Sequence, residues 1–259
     1  MNIVLNENFI LSILTAFFVG AISAYLGSFM VLRRMALVGD ALSHVALPGI
    51  GIALTFNFNP FLGAFTARAF GSLIIWQIER KTTIPTEAIV GLIFATSLAI
   101  GLLVTPEPEL LEALFGDISQ VKLSDGILAV LLSVFVFAVM VFLRRKLILS
   151  TLSKDLAKSQ GINVDLTNLV FLALVAVVVA LGVKVVGTLL MGALVIIPAI
   201  ASKNIARNLN AYGILSLIFG IVSAVGGVWL ASGFGFPPGP LVVLVSAALF
   251  LVSFLFRRG

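Results

Sequence analysis

The stretch GILAVLLSVFVFAVMVFLRRK, from Gly126 to Lys146, decides the fold. It has no charged residue before Arg144, and it then presents three basic residues in succession. About 20 predominantly apolar residues are enough for an α-helix to cross the hydrocarbon core of a bilayer. An apolar run of this length that ends in a basic cluster is typical of a transmembrane helix with its basic end in the cytoplasm.

The composition of the whole chain repeats this pattern. Of its 259 residues, 61% are hydrophobic and only 10% are charged, whereas a soluble domain carries about 25% charged residues. We predict a single transmembrane domain over residues 1–259 with nine hydrophobic segments. They are residues 9–32, 36–55, 60–77, 87–104, 124–143, 166–182, 185–201, 210–231 and 239–256. The sixth and seventh are short and closely spaced, so eight full spans with a half-helix is the alternative.

The basic residues predict the orientation of these spans. All except Arg68, Lys122 and Lys184 fall in alternate connections or at the C-terminus, and the positive-inside rule makes that side cytoplasmic. They are Arg33, Arg34, Arg80, Lys81, Arg144, Arg145, Lys146, Lys154, Lys158, Lys203, Arg207, Arg257 and Arg258. The N-terminus is then outside and the C-terminus cytoplasmic. This placement accounts for the net charge of +5 without a nucleic-acid partner.

The longest polar connection, between the fifth and sixth segments, contains the signals of a short helix. Ser153 is a candidate N-cap, Asp155 falls in the first turn and Gly161 is a natural C-terminal stop. With Leu156 on its apolar face, the segment 152–162 is predicted to form a cytoplasmic amphipathic helix. A solvated or interfacial helix and a docking helix for a cytoplasmic partner both agree with this pattern.

A second stretch, RRMALVGDALSHVALPGIGIAL from Arg33, places a carboxylate and the only histidine in an apolar segment. Asp40 and His44 are four positions apart and so share one face of a helix. A carboxylate inside a bilayer costs several kcal/mol unless it has a partner. The pair is either a buried hydrogen bond or a pair of ligands for zinc, manganese or ferrous iron. Pro48, one turn further on, is expected to bend the helix.

Other charged residues give weaker signals. The acidic connection 105–122 contains Glu107, Glu109, Glu112 and Asp117, and it is either a solvated loop or a surface that gathers cations. Arg68 falls near the middle of the third segment, where it either pairs with a carboxylate or extends toward the interface.

Several motifs resemble the permease subunit of bacterial metal-ion ABC importers of the zinc, manganese and iron type. They are RRMALVGDALSHVALPGIGIAL, LFGDI, SKDLAKSQGINVDL, VKVVGTLLMGALVIIPAIASKNIAR and PPGPLVVLV. The resemblance extends over nearly the whole chain, and the first motif is its most specific part. The segment KDLAKSQGI is also similar to the coupling segment of vitamin and iron-chelate importer permeases, which have a related fold.

The resemblance implies a homodimer in the bacterial cell membrane that binds two cytoplasmic ATPase subunits. It also implies an extracytoplasmic metal-binding protein as donor of the ion. In such a permease, Asp40 and His44 would meet the transported metal, and Ser153, Asp155, Leu156 and Gly161 would belong to the ATPase-coupling segment. No permanently bound cofactor and no enzyme activity are expected. ATP would bind only to the partner subunit, and this chain has no G-x-x-x-x-G-K-[ST] motif.

Two other kinds of transport protein are alternatives. A stand-alone secondary transporter or channel would need its own energy coupling and no docking helix. A permease for a bulky chelate or vitamin would not need the Asp40–His44 pair. The sequence favours neither zinc, manganese nor iron, because carboxylate and imidazole ligands suit all three ions.

Overall fold

The computed structural model describes residues 7–115 and 123–256, and every regular element in these two ranges is an α-helix. The first six helices are α1 (Glu7–Leu32), α2 (Leu37–His44), α3 (Ala46–Thr55), α4 (Pro60–Lys81), α5 (Thr86–Val104) and α6 (Glu107–Phe115). The remaining six are α7 (Leu123–Leu152), α8 (Lys154–Ser159), α9 (Val164–Val186), α10 (Thr188–Ile205), α11 (Leu209–Phe234) and α12 (Pro238–Leu255). Asp117, Lys122, Arg257 and Arg258 lie outside the described residues.

Eight segments of the described chain are long and apolar enough to cross a membrane. α2 and α3 together make one of these segments, Leu37–Thr55, and α10 contributes a shorter apolar helix, Leu190–Ile205. The prediction of an all-α polytopic membrane protein is confirmed, and the structure agrees with the alternative of eight full spans. The predicted segments 166–182 and 185–201 put this boundary at residues 183–184, whereas in the structure Gly187 separates α9 from α10.

Glycines allow the central helix α1 to approach its neighbours closely. A Cβ atom on Gly20 would lie 2.5 Å from the Cβ of Ala224 and 2.6 Å from the carbonyl oxygen of Gly220, both on α11. Two turns further along α1, a Cβ on Gly27 would overlap the carbonyl of Val195 on α10. Small residues at such positions let helix backbones pack together in lipid, where apolar burial alone does not drive association.

The second predicted segment is not one continuous helix. α2 ends at His44, Val45 is in a turn, and α3 begins at Ala46. The cause is Pro48, which has no N–H to donate to the carbonyl of His44 four residues earlier. The helix is therefore interrupted immediately after the histidine.

Two other predictions of extent are wrong. α7 continues nine residues past the predicted end at 143, so Leu152 is the last residue of α7 and does not belong to the short helix α8. The acidic connection was predicted as a loop, but part of it forms α6, whose first turn contains Glu107 and Glu109. Both predicted boundaries were set where charged residues begin. Glu, Lys and Arg are good helix formers, so a helix can continue through them beyond the apolar segment.

Candidate functional site

Asp40 and His44 lie on consecutive turns of α2. The Nε2 atom of His44 is 4.0 Å from the Oδ1 atom of Asp40, which is too long for a hydrogen bond. The side chain of His44 is 4% exposed and that of Asp40 is 35% exposed. The pair therefore does not satisfy itself by hydrogen bonding, and its carboxylate is partly exposed.

The imidazole is held from the side of α5. The ring of Phe94 meets the His44 ring edge to face, with 5.0 Å between the centroids. The Nδ1 atom of His44 is buried and has no hydrogen-bond partner among the described residues. An aromatic contact fixes the position of the ring without using either of its nitrogen atoms.

The N-terminal part of α10 packs against α2 beside Ser43 and Asp40. The Ser43 hydroxyl lies 2.8 Å from the carbonyl oxygen of Thr188 and 2.6 Å from that of Asp40, and it donates its hydrogen to these acceptors. One turn along α10, Gly192 packs against the Asp40 side chain. Gly187, at φ +79°, separates α9 from α10 and lets α10 begin at this depth.

These contacts leave a carboxylate and an imidazole on one face of α2 with no hydrogen bond between them. At a tetrahedral angle, two bonds of about 2.1 Å place their ligand atoms about 3.4 Å apart, so the pair must close slightly from 4.0 Å to hold one ion. The described residues of one chain contain no group of three or more His, Cys, Asp or Glu side chains that could hold a metal. A single chain therefore offers two ligands at this place.

The segment predicted to couple to an ATPase has the predicted caps but a shorter helix. The Ser153 hydroxyl accepts a hydrogen bond of 3.2 Å from the Leu156 N–H, and Asp155 lies in the first turn of α8. Gly161, at φ +73°, forms the exit turn, where the Ile162 N–H donates to the carbonyl oxygen of Ala157. Leu156 is 47% exposed, whereas Ala157 is buried. The helix is thus anchored through Ala157 and presents Leu156 outward.

A polar cluster fastens the first two turns of α9 to the end of α4. The Trp76 indole N–H donates a 2.9 Å hydrogen bond to the carbonyl oxygen of Asp165. The Asn168 amide donates a 2.6 Å hydrogen bond to the Glu79 carboxylate. Arg80 and Asp165 form a longer contact of 3.5 Å between two exposed side chains, which contributes little.

The same cluster reaches the turn that leads into α2. The Arg33 guanidinium lies over the Phe171 ring, 5.2 Å from its centroid. Burial lowers the pKa of Arg33, and the Glu79 carboxylate acts in the opposite direction. The next residue, Arg34, has φ +56°, and the Met35 N–H donates to the carbonyl oxygen of Met30. Sequence reasoning missed this cluster, although the polar Asn168 inside an apolar segment was a signal for it.

Arg68 does not extend to the interface. It is 4% exposed, and its Nε atom has no hydrogen-bond partner in the described part of the chain. Neighbouring positions on α4 pack against α3 through the close pair Gly63 and Gly49. Within residues 7–115 and 123–256, Arg68 therefore neither pairs with a carboxylate nor extends toward the interface.

Eight spans, a carboxylate–imidazole pair inside the second of them and a capped helix between the fifth and sixth define a multi-pass membrane permease. The sequence matches the ABC 3 transport family over residues 6–257. The chain belongs to this family and is a membrane-spanning permease subunit of the ABC importer class, as the resemblance implied.

Similar proteins cover nearly the whole chain. The manganese transport system membrane protein MntC of Listeria monocytogenes is 29% identical over 249 residues, which are 95% of this chain and 89% of that protein. The high-affinity zinc uptake system membrane protein ZnuB of Haemophilus influenzae is 31% identical over 252 residues, 95% of this chain and 96% of that protein. In the solved structure of PsaBC from Streptococcus pneumoniae in complex with Fab, the matching chain superimposes with a TM-score of 0.82. It is 28% identical, and the match covers 94% of this chain and 89% of that chain.

Proposed function

We propose that this permease carries a divalent transition-metal ion into the cytoplasm and that Asp40 and His44 contact the ion during its passage. The observation that carries the proposal is the 4.0 Å separation of Asp40 Oδ1 and His44 Nε2 on one face of α2. Relatives named for manganese and for zinc support a divalent cargo. Carboxylate and imidazole ligands suit both of these ions, so the choice between them depends on geometry and supply.

A second copy of the chain would complete the ion site. Two ligands are too few for a stable transition-metal site, whereas two Asp40 and two His44 side chains provide four. The partly exposed Asp40 carboxylate supports this arrangement. Transport requires release of the ion, so the four side chains would have to form an open site rather than a closed four-ligand cage.

Energy would come from ATP hydrolysis on two separate cytoplasmic ATPase subunits. The exposed Leu156 on α8 supports a docking role for this helix, since an apolar side chain at the centre of a short helix fits a cleft on a partner. An extracytoplasmic metal-binding protein would supply the ion at the opposite side of the membrane. In this arrangement the N-terminus is outside and the C-terminus is cytoplasmic.

The test is metal uptake by the complete transporter in proteoliposomes, with manganese and zinc competed against each other. We expect Asp40→Asn to reduce uptake sharply, because it keeps the shape and hydrogen-bonding capacity of the side chain and removes its charge. His44→Ala removes the imidazole and should have the same effect. Glu87→Gln is the matched control, since Glu87 is an exposed carboxylate in the first turn of α5.

Three results would contradict the proposal. Uptake at the wild-type rate by a folded Asp40→Asn transporter would show that the pair has only a structural role. Uptake of a metal chelate, but not of the free ion, would instead support the alternative cargo. Transport without any ATPase subunit would support a stand-alone transporter.

A further inference from the structure

A groove lies between α1, α7 and α11 at the basic end of α7. Its larger part has a volume of about 290 Å³ and is lined largely by apolar and aromatic side chains, among them Tyr25, Phe29 and Phe137. An adjoining part of about 210 Å³ shares Phe29 with it and continues past Ile148. Neither the Asp40–His44 pair nor the coupling helix α8 contributes to this groove.

The groove has a polar end with unused hydrogen-bonding capacity. Arg144 lines the larger part, where its guanidinium donates one hydrogen bond to the side-chain oxygen of Asn210. A guanidinium has five N–H donors, so others are available. Tyr212 lines the same end and is 4% exposed, and its hydroxyl has no hydrogen-bond partner among the described residues. A buried hydroxyl without a partner is unfavourable unless a ligand satisfies it.

The position of Arg144 places this polar end at the membrane interface. Arg144 directly follows the uncharged stretch from Gly126 to Leu143, so it lies where α7 leaves the hydrocarbon core. Phe137 and Val141 line the groove on the hydrocarbon side of Arg144, and Arg33 lines the adjoining part on the other side. The groove therefore runs from the acyl-chain region to the headgroup region.

The charge of the groove selects its occupant. Arg144 lines the larger part, and no acidic residue lines either part. Arg145 and Lys146 follow on α7, and Arg207 precedes α11. Basic pockets between transmembrane helices at the cytoplasmic surface are suited to anionic lipid headgroups. An apolar floor with a cationic end matches the acyl chain and the phosphate of such a lipid.

We propose that this groove is a binding site for an anionic glycerophospholipid. The phosphate accepts hydrogen bonds from Arg144 and from the Tyr212 hydroxyl, and one acyl chain lies along Phe29 and Phe137. The lipid would join α7, which leads into the coupling helix, to the first turn of α11. The site is independent of the proposed function, because lipid binding requires neither metal nor ATP.

The experiment measures lipid retained by the full-length permease. The protein is reconstituted in vesicles of phosphatidylglycerol and phosphatidylcholine, extracted in mild detergent, and the bound lipid is quantified by mass spectrometry. We expect wild type to retain phosphatidylglycerol selectively and Arg144→Gln to retain it roughly five- to tenfold less strongly, since one interfacial arginine contributes about 1 kcal/mol. Arg145→Gln is the matched control, because it removes the same charge from the adjacent, exposed position.

Tyr212→Phe gives a second test that does not depend on the Arg144–Asn210 contact. It removes one hydroxyl that has no partner among the described residues, so folding should be unaffected and phosphatidylglycerol retention should fall. Equal losses from Arg144→Gln and Arg145→Gln would overturn the proposal in favour of general surface charge. Equal retention of both lipids by wild type would also overturn it. Ile214 lines the larger part of the groove. A photo-crosslink from a photoreactive residue at this position to a protein chain would identify the groove as a protein interface and overturn the proposal.

Discussion

Gly192 of α10 packs directly against the side chain of Asp40. A Cβ atom on Gly192 would lie 2.8 Å from the Asp40 Cβ and 2.9 Å from its Oδ1. The backbone of α10 therefore lies so close to the Asp40 side chain that only a glycine fits at position 192. The relationship links two motifs of the sequence that are separated by most of the chain.

The first prediction concerns this contact. Gly192→Ala should force α10 and α2 apart or rotate the Asp40 carboxylate, at a cost of about 1–3 kcal/mol for overpacking. We expect metal uptake to fall severalfold although both proposed ligands are still present. Gly226→Ala is the control, because its Cβ would lie at an ordinary distance of 3.5 Å from Val245. Equal uptake by the two variants would show that the position of Asp40 does not matter.

The second prediction concerns the docking helix. Leu156→Asp places a charge at the exposed apolar position of α8, and it should abolish ATPase association while the permease stays in the membrane. Leu156→Met keeps an apolar side chain of similar size and should retain both association and transport. Co-purification of the ATPase subunit with each variant measures the effect. Normal assembly by Leu156→Asp would remove the docking assignment.

The third prediction concerns the turn after α8. Gly161→Ala introduces a side chain at φ +73° with no atom within 4 Å of the new Cβ, so the penalty comes from the backbone alone. A left-handed conformation costs a non-glycine residue roughly 1–2 kcal/mol. We expect weaker ATPase association for Gly161→Ala and a smaller effect for Gly161→Asn, because asparagine tolerates this conformation better. The reverse order of the two variants would contradict a backbone effect.

The fourth prediction concerns the polar cluster at the start of α9. Asn168→Leu removes the 2.6 Å hydrogen bond to Glu79 and leaves that carboxylate without its amide donor. The expected loss of stability is about 1–3 kcal/mol, measured as a lower midpoint of thermal unfolding in detergent. Thr83→Val, at an exposed position between α4 and α5, is the control and should leave the midpoint nearly unchanged. An equal midpoint for Asn168→Leu and wild type would show that the bond contributes nothing.

The fifth prediction concerns orientation. The chain contains no cysteine, so single cysteines are specific labelling sites. Intact cells treated with a membrane-impermeant maleimide should label Glu107→Cys, on α6, and spare Lys154→Cys, on α8. Both positions are exposed, so a difference reports the side of the membrane. Labelling of Lys154→Cys alone would reverse the topology and place the docking helix outside.

Local features of the structure could be predicted from the sequence because their causes are local. The apolar segments follow from the length needed to cross a bilayer. The Ser153 cap, the Gly161 turn and the interruption before Pro48 each depend on the conformational preferences of residues within one or two turns. The proximity of Asp40 and His44 required only the helical repeat.

The contacts between helices could not be predicted in this way. Ser43 meets the carbonyl of Thr188 across 145 positions of sequence, Gly192 packs against Asp40, and Arg33 lies over Phe171. Lipid tails are as apolar as the protein interior, so hydrophobic periodicity does not indicate which face of a membrane helix meets which neighbour. The sequence by itself determined a membrane permease with a carboxylate and an imidazole one turn apart. Only the packing of α10 and α5 against α2 decided where that pair points, because close approach at glycines depends on the shapes of both helices.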